Sequence, residues 1–583
     1  MGGNGKKVIV VGGGLAGLSA ALKIAESGAL VELFSMVPVR RSHSVCAQGG
    51  INAATDPHGQ GDSAWEHFDD TIYGGDFLAN QTPVKGMCEA APAIIDLLDR
   101  MGVTFNRTSE GRLDVRAFGG AKFKRTAFAG ATTGQQLMYA LDEQVRRFEA
   151  QGLVTKYEFW EFLAPVIDDD RRCRGIVAMS LDGMAVRAFP ADAVIMATGG
   201  PGLVYGTNTT NSFINTGSAA GACFRHGVDY ANGEFIQVHP TAIQGEDKRR
   251  LISESVRGEG GRVWVPKDGK PWYFLEEWYP AYGNLVPRDI ATRAIFKVVY
   301  ELDMGIEGRN VVYLDVSHLD PAYLTKKLGG VLEIYEKFVG DDPRKIPMQI
   351  FPAVHYSMGG LWVDFGQMTN VAGLFAAGEC DYQYHGANRL GANSLLSCIY
   401  AGFQAGPAAV KYLSGLQTLP DAVTLLQQAE KRERDANNEW LKKDGSENPY
   451  ALWREMGNLM TENVTVIREN PKLKLTDEKL LEIKDRYENR AGVPDKALWK
   501  NQPLAFTRQL ENMIALARVI TLGALARNES RGAHYKPEFP DRDDANFLKT
   551  TRAAHSPDGP VLTYEEVDIQ FIPPRERKYD VEK

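Results

Sequence analysis

A glycine-rich turn near the amino terminus constrains the fold of this chain more than any other feature. The apolar run Val8–Val11 is followed by Gly12-x-Gly14-x-x-Gly17, a helical run Leu18–Ser27 and a second apolar run Leu30–Phe34. A G-x-G-x-x-G pattern between a strand and a helix is a specific signal, whereas the bare pattern is a weak one. The glycines permit a tight turn and close approach of a pyrophosphate, whose charge the helix N-terminus stabilises. The sequence therefore predicts a dinucleotide-binding β-α-β unit.

Two later segments look like further strands of the same domain. Ala193–Gly200 is an apolar run that ends in glycines, and Gly373–Glu379 is a second run of this kind. Because the three pieces lie far apart in sequence, we expect an insertion between them, at about Val238–Met348. Beyond about Gln417 the apolar residues follow a helical period, and the predicted helices are Leu425–Trp440, Tyr450–Val466, Asp477–Tyr487 and Pro503–Ala526.

These patterns predict an α/β fold of several domains. A Rossmann-like nucleotide-binding domain is interrupted by an α+β capping domain and is followed by a helical domain and a C-terminal tail domain. The chain of 583 residues is longer than one hydrophobic core supports. The predicted limits are 1–237 and 349–416 for the two parts of the nucleotide-binding domain, 238–348 for the capping domain, 417–534 for the helical domain and 535–583 for the C-terminal domain.

Composition excludes several classes of protein. A net charge of −8 gives no sign of a nucleic-acid surface. The six cysteines include no C-x-x-C pair, which argues against iron–sulfur, zinc or other metal ligation by this chain and favours a reducing compartment. Lys6 and Lys7 precede the first strand directly, so no signal peptide is predicted. The uncharged stretch Leu390–Val410 contains Asn393 and Pro407, and we expect a buried loop and helix there, with no membrane span.

Eight separated motifs carry the candidate site residues. They are Arg41-Ser-His43-Ser44, Phe118-Gly-Gly, His239-Pro-Thr, Ser253-Glu254-Ser-Val-Arg257-Gly-Glu-Gly-Gly, Pro287-Arg288-Asp289, His355-Tyr-Ser-Met-Gly-Gly, His385-Gly-Ala-Asn-Arg389-Leu-Gly and Ser530-Arg-Gly-Ala-His534. The motifs occur in the expected order and extend over nearly the whole chain. With them the sequence resembles the flavoprotein subunit of succinate dehydrogenase and fumarate reductase. The resemblance implies that the nucleotide-binding domain is an FAD-binding domain. It also implies that succinate and fumarate are interconverted by hydride transfer to or from the flavin.

The resemblance implies a covalent flavin. His43 corresponds to the attachment point of the 8α-methyl carbon, and a covalent tether would raise the reduction potential that hydride abstraction from an unactivated CH₂–CH₂ requires. Ser35 occupies the tip of the second strand, where many dinucleotide folds carry an acid, and Ser218 stands where some members of the family carry an aspartate. The implied cofactor contacts are Gly12, Gly14, Gly17, Ser35, His43, Ser44, Gly49, Gly50, Glu379, Ser394 and Leu395. Of these, Ser394 and Leu395 lie at a helix N-terminus, which would stabilise an anionic flavin edge.

The implied substrate contacts match a four-carbon dicarboxylate, which needs donors at both ends. Arg389 can grip one carboxylate in a bidentate fork. Hydrogen bonds to the carboxylates are expected from His239, His355 and Ser253, and Phe118 is expected to cover the apolar middle.

The proton-transfer residue implied by the resemblance is Arg288, with Glu254 and Arg257 as its partners. An arginine is a poor base, because its pKa lies above about 12. Glu254 is therefore expected to relay the proton.

Electrons on a buried flavin need an exit, and this chain has no predicted cluster ligands. The resemblance implies an iron–sulfur subunit docked on a membrane cytochrome b, the quinone-binding anchor. This arrangement would place the chain peripherally on the cytoplasmic face of a bacterial inner membrane. Both directions, succinate oxidation and fumarate reduction, use the same residues and remain open.

Three alternatives compete with this interpretation. An L-aspartate oxidase-like enzyme would hold its FAD noncovalently, and the His43 motif argues against it. A disulfide reductase would need a second nucleotide motif and a cysteine pair. A non-catalytic electron-carrier subunit would have no use for the dicarboxylate-binding set.

Overall fold

The computed structural model describes residues 6–245, 247–416 and 422–579, so residues 417–421, at the expected start of the helical domain, lie outside it. Its strands, numbered in chain order, are β1 Lys7–Val11, β2 Leu30–Ser35, β3 Ile51–Asn52, β4 Val115–Arg116, β5 Thr126–Ala127, β6 Val154–Glu158, β7 Trp160–Ile167, β8 Cys173–Ser180, β9 Val186–Pro190, β10 Ala193–Met196, β11 Tyr230–Ala231, β12 Ile236–Ile243, β13 Arg250–Leu251, β14 Arg262–Lys267, β15 Lys270–Trp272, β16 Val312–Asp315, β17 Met348–Ser357, β18 Gly360–Leu361, β19 Leu374–Ala376, β20 Lys549–Ala554 and β21 Val561–Glu566.

The α-helices of the same residues are α1 Leu15–Glu26, α2 Ala64–Gly74, α3 Gln81–Arg100, α4 Thr133–Ala150, α5 Ser218–Arg225, α6 Ser255–Gly258, α7 Phe274–Trp278, α8 Arg288–Phe296, α9 Pro321–Val339, α10 Asn393–Gly415, α11 Val423–Lys442, α12 Pro449–Asn463, α13 Asn470–Arg490, α14 Gln502–Ala526 and α15 Asp544–Phe547.

A parallel sheet in the order β19-β10-β1-β2-β6 forms the nucleotide-binding layer. The predicted β-α-β unit is confirmed, although α1 begins at Leu15, three residues before the predicted start. Gly14 is the extended N-cap residue, so Gly17 falls inside the first turn of the helix. A Cβ atom on Gly17 would lie 1.8 Å from the carbonyl oxygen of Gly12, which explains why the third glycine is needed for the turn to close.

A six-stranded sheet in the order β13-β12-β17-β16-β14-β15 lies between β10 and β19 in sequence, as expected for an insertion. Its core is formed with α8 and α9, which bury residues such as Ile295, Leu328 and Leu332. The long strands β12 and β17 pair antiparallel, with shifts of register beside Val238 and His239. This sheet carries catalytic candidates toward the nucleotide-binding layer, and the exact domain limits stay a prediction.

All four predicted helices of the C-terminal half are present, as α11 to α14. The largest difference is in α13, which begins seven residues before the predicted Asp477, because Pro471 can occupy a first-turn position where no backbone donor is needed. Within the proline-rich and charged tail, β20 and β21 form a hairpin that pairs with β11. The tail therefore joins a sheet built from earlier parts of the chain.

The uncharged stretch Leu390–Val410 is a buried loop and helix, as predicted. Its helix, α10, packs along α1. Within the described ranges no helix combines the length and the apolar character that crossing a bilayer requires.

Candidate functional site

Two adjoining cavities share His43, Ser44 and Glu379 on their walls. The first has about 1010 Å³ of empty space, with the solvent at its mouth included, and is lined by the glycine-rich turn, by Ser35 at the tip of β2 and by Gly199 after β10. The second has about 860 Å³ and is lined by polar and cationic side chains from the inserted sheet and from the segment before α10. The two cavities therefore adjoin at the residues that they share.

The first cavity fits a dinucleotide. The N-terminus of α1 has no acidic residue in its first turn, and its N-cap residue Gly14 has no side chain, so its positive end is available to a pyrophosphate. Gly12 adopts a φ of +115°, and a Cβ atom there would lie 2.0 Å from the carbonyl oxygen of Ala197 at the end of the neighbouring strand. Ser44 Oγ accepts a 3.4 Å hydrogen bond from the Leu15 amide, which ties the turn carrying His43 to the helix N-terminus. Ser35 and Ser218 both line this cavity.

His43 lies in a short 3₁₀ turn, His43–Cys46, on the wall between the cavities. Its Nδ1 atom is inaccessible to solvent and has no hydrogen-bond partner among the described residues. Burial, reinforced by the charge of Lys248, lowers the pKa of His43 to about 4. The imidazole is therefore neutral at physiological pH and keeps a lone pair for bond formation.

The start of α10 faces the second cavity. Ala392 adopts a left-handed conformation with φ 63°, which turns the chain into the helix, and Ser394 and Leu395 line the cavity wall. The first turn contains no acidic residue, so the positive helix end is not neutralised locally. Nearby, Glu379 Oε1 accepts a 3.0 Å hydrogen bond from the Ser357 amide, and burial raises the pKa of Glu379 to about 7.

Arg389 is a buried cation without a counter-charge. It is 2% exposed, and its guanidinium makes no hydrogen bond or ion pair with any other residue that the structure describes. The group lies over the ring of Tyr356, 4.5 Å from the centroid. Burial, reinforced by the charge of Arg288, lowers the pKa of Arg389 to about 9. A buried charge of this kind is costly unless an anion pairs with it, so the second cavity is suited to an anionic ligand.

Arg288, Glu254 and Arg257 form one buried network. Arg288 Nε donates to Glu254 Oε2 at 2.7 Å, and Arg257 Nη2 donates to Glu254 Oε1 at 3.1 Å. The Gly119 amide donates a third hydrogen bond to this carboxylate, at 2.9 Å. Burial alone would raise the pKa of Glu254, but the two arginines hold it below its usual range, so the carboxylate is ionised.

Neutral hydrogen-bond donors complete the second cavity. His239 Nδ1 accepts from the Thr241 amide at 3.2 Å, so the ring proton is on Nε2, which has no partner in the described chain. His355 Nδ1 is hydrogen-bonded to Thr210 Oγ1 at 2.7 Å. Burial, with Arg288 as the next cause, lowers the pKa of both histidines well below the ordinary value. Both rings are therefore neutral.

Ser253 and Phe118 also line the second cavity. The Ser253 oxygen accepts from the Ser255 hydroxyl at 2.9 Å, which leaves the Ser253 proton free to donate elsewhere. The Phe118 ring packs on the backbone of Gly49, where a Cβ atom would lie 2.9 Å from Cζ of the ring. Gly50 lines the same cavity with a φ of +134°.

The structure brings all but two of the predicted site residues to the two cavity walls. Arg257 lies behind Glu254, and Gly17 packs against Gly12. Sequence reasoning missed Gln237, whose side chain accepts from Arg288 Nη1 at 2.9 Å and donates to the carbonyl oxygen of Arg389 at 2.7 Å. Strand alternation could have found it, because Gln237 is two residues before His239 on the same strand.

Known proteins share these features. A family described as "FAD binding domain" matches residues 7–395, and one described as "Fumarate reductase flavoprotein C-term" matches residues 453–579. The succinate dehydrogenase flavoprotein subunit of Bacillus subtilis is 65% identical over 580 residues, which cover 99% of each chain. The fumarate reductase flavoprotein subunit of Escherichia coli is 36% identical, covering 98% of this chain and 95% of its own. A solved chain of E. coli quinol fumarate reductase superposes with a TM-score of 0.93 at 34% identity and covers all of both chains. This chain belongs to the family of succinate dehydrogenase and fumarate reductase flavoprotein subunits.

Proposed function

We propose that this chain interconverts succinate and fumarate at the junction of the two cavities, with FAD held in the first and the dicarboxylate in the second. The observation that carries the proposal is the unpaired Arg389 cation opposite the Arg288–Glu254 pair in one cavity. Bound FAD supplies the group that accepts or returns the hydride. The remaining chemistry, which is to bind a dianion, exclude water and move one proton, belongs to the protein.

The charges of the second cavity suit a dianion. Arg288, Arg257 and Arg389 outnumber the ionised carboxylate of Glu254 and that of Glu379, whose pKa of about 7 leaves it partly ionised, so the cavity keeps an excess of positive charge before a ligand arrives. Arg389 has a free guanidinium face for one carboxylate. Neutral donors from Ser253 and the two histidines supply hydrogen bonds without adding charge. Phe118 keeps water from the hydrocarbon middle of the ligand.

Arg288 moves the proton at the substrate carbon. Its Nε is fixed by Glu254 and its Nη1 by Gln237, while Nη2 makes no hydrogen bond in the described chain. An arginine gives up a proton only when the product is stabilised, and the ionised Glu254 can take up that proton and return it. Gln237 accepts from Arg288 and therefore orients the guanidinium.

We also propose that His43 carries the flavin through a covalent bond. Support comes from its neutral ring, its unpartnered Nδ1 and its position between the cavities. The holoprotein should show a fluorescent band at the mass of the chain after denaturing electrophoresis, and peptide mass spectrometry should place the flavin on the peptide that contains His43. His43→Ser should lose the band, whereas the exposed His58→Ser should keep it. A wild-type chain that releases all its flavin into acid contradicts covalent attachment.

Partners and location are part of the same proposal. Since the named relatives are subunits and one is a quinol fumarate reductase, we propose an iron–sulfur subunit and a membrane cytochrome b, the quinone-binding anchor. The chain would then be peripheral on the cytoplasmic face of a bacterial inner membrane. Assay of the purified complex in both directions, with high- and low-potential quinones, would assign the physiological direction.

The functional test is substrate-dependent bleaching of the flavin absorbance. Succinate should bleach the oxidised holoprotein, and fumarate should restore the colour after chemical reduction. L-aspartate is the control substrate for the alternative oxidase function, which the family membership and the cationic cavity do not favour. A holoprotein that responds to aspartate but not to succinate, or to neither, contradicts the proposal. The non-catalytic carrier alternative is not favoured either, because the dicarboxylate-binding set is assembled in one cavity.

A further inference from the structure

The last described residues, 575–579, form a segment that we name the C-terminal strap. It lies along α2: Arg575 Nη2 donates to both carboxylate oxygens of Asp69 at 2.7 Å, and the Lys578 amide donates to the Tyr73 hydroxyl at 2.6 Å. The strap thus connects the far end of the sequence to a helix of the nucleotide-binding region.

Arg577 leaves this surface and is buried between two carboxylates. Its guanidinium contacts Asp289 Oδ2 at 3.0 Å and Asp76 Oδ2 at 3.4 Å, with all three side chains at most 8% exposed. Burial would lower the pKa of Arg577, but Asp289 and the other neighbouring groups raise it well above the ordinary value. Asp76 follows α2, whereas Asp289 is the second residue of α8, so Arg577 bridges two parts of the fold.

Tyr579 also connects α2 with the inserted region. Its ring contacts Tyr73 of α2 at a centroid distance of 5.6 Å and Tyr282 of the inserted region at 5.1 Å. Tyr282 precedes a short loop in which the Asn284 carbonyl accepts a 2.6 Å hydrogen bond from Arg257. The strap therefore contacts the inserted region at two points, each beside a member of the Arg288–Glu254–Arg257 network.

On its other side, α2 holds the segment that carries Arg389. The Ala387 amide donates to the carbonyl oxygen of Gly75 at 2.9 Å, and Asn388 Nδ2 donates to that of Gly74 at 3.1 Å. A continuous set of contacts thus runs from Arg389 through α2 and the strap to Asp289, the neighbour of Arg288 at the start of α8. These contacts add a second link between the carboxylate-binding arginine and the proton-transfer arginine, beside the direct one through Gln237.

We propose that Arg577 is a positioning residue for succinate–fumarate interconversion, which fixes Arg288 relative to Arg389 through its ion pair with Asp289. The inference rests on the proposed function. Without the pair, the start of α8 keeps its hydrogen bonds to Glu254, Gln237 and Val238 but loses its link to the strap. Arg288 is then held less firmly while the dicarboxylate stays on Arg389. A displacement of about 1 Å at a reacting group can reduce the rate about 100-fold. The turnover number is therefore the quantity that should change.

The experiment compares Arg577→Gln with Arg575→Gln in the holoprotein. Both remove one positive charge from the strap, but Arg575 is paired with Asp69 on the surface and lies over the ring of Tyr73, without a contact to α8. For Arg577→Gln we expect kcat to fall about 10- to 100-fold. The KM and the affinity for malonate should stay within about threefold of wild type, and the solvent isotope effect on kcat should be larger than in the wild type. Arg577→Lys should recover part of the loss, and Arg575→Gln should behave as wild type.

Asp289→Asn and the double variant decide whether Arg577 acts through Asp289. If it does, Arg577→Gln with Asp289→Asn is no slower than the slower single variant. The inference is overturned if the kcat loss of the double variant is the product of the two single losses. It is also overturned if Arg575→Gln loses as much kcat as Arg577→Gln, or if the kcat of Arg577→Gln is within about twofold of wild type. If Arg577→Gln does not fold, Asp289→Asn must by itself show a kcat about 10- to 100-fold below wild type at unchanged KM. A wild-type kcat in Asp289→Asn overturns the inference. An inactive wild type would instead contradict the proposed function.

Discussion

Replacing Arg389 with methionine should change stability and binding in opposite directions. In the ligand-free fold, burial lowers the pKa of this guanidinium from its ordinary value to about 9. That fall corresponds to about 4–5 kcal/mol of unfavourable free energy for the charged form in the folded state. Because the folded pKa lies below the unfolded one, the full cost applies at any pH below about 9 and is lost as the pH rises from there to the ordinary pKa of arginine. At pH 7.5, Arg389→Met should therefore raise the melting temperature of the ligand-free holoprotein by a few °C.

Binding should respond in the opposite sense. A dicarboxylate in the second cavity would lose the unpaired cation that Arg389 offers, which costs about 2–5 kcal/mol, or about 30-fold to 4000-fold in affinity. Malonate titration, followed through the flavin absorbance, measures this loss. Malonate should also raise the melting temperature of the wild type and leave that of Arg389→Met unchanged.

A surface arginine provides the matched control. Arg309 is 54% exposed and pairs with Glu307, so Arg309→Met removes the same charge without opening the cavity. Its affinity for malonate and its melting temperature should stay near the wild-type values. The reasoning is refuted if Arg389→Met binds malonate within about threefold of wild type, or if its ligand-free form melts several degrees lower.

Two further substitutions test other parts of the site. Glu254→Gln removes the carboxylate that bonds Arg288 and Arg257, so kcat should fall about 100- to 10,000-fold while covalent flavin is retained. Steady-state assays, with the flavin content of each preparation checked, measure this fall. A loss of kcat below about tenfold contradicts proton relay by Glu254. Gly17→Ala places a Cβ atom 1.8 Å from the Gly12 oxygen and should yield protein without FAD, whereas Gly183→Ala, with no atom within 4 Å, should bind FAD normally. The ratio of flavin to protein absorbance measures the FAD content of each variant. Equal ratios in the two variants would show that the close packing of Gly17 is not needed for FAD binding.

Local patterns predicted most of the fold. The glycine-rich turn, the strands on either side of it and the four C-terminal helices follow from apolar periodicity and turn chemistry, which act over a few residues. The start of α1 was placed three residues late, because apolar periodicity marks the buried face of a helix and not its N-cap at Gly14. The β20–β21 hairpin was missed because β21 is mostly exposed and β20 pairs on its other side with the two-residue strand β11.

Sequence motifs predicted most of the site residues. The residues that the motifs did not predict are defined by contacts between parts of the chain that are distant in sequence. Gln237 lacks a motif of its own, although its strand position pointed to the site. The Arg577–Asp289 pair joins residues 288 positions apart, and no local pattern in either segment indicates the other. That the Arg389 guanidinium has no hydrogen-bond or ion-pair partner among the described residues is likewise a property of the folded surroundings, since arginine on a surface would bind water.

The most direct test of the account is a structure of the FAD-loaded chain with fumarate bound. We predict that one carboxylate lies on Arg389 and the other within hydrogen-bond distance of Ser253 and His239, with Arg288 beside a central carbon and the flavin bonded to His43. A fumarate held elsewhere, or an Arg389 still without an anionic partner, would contradict it.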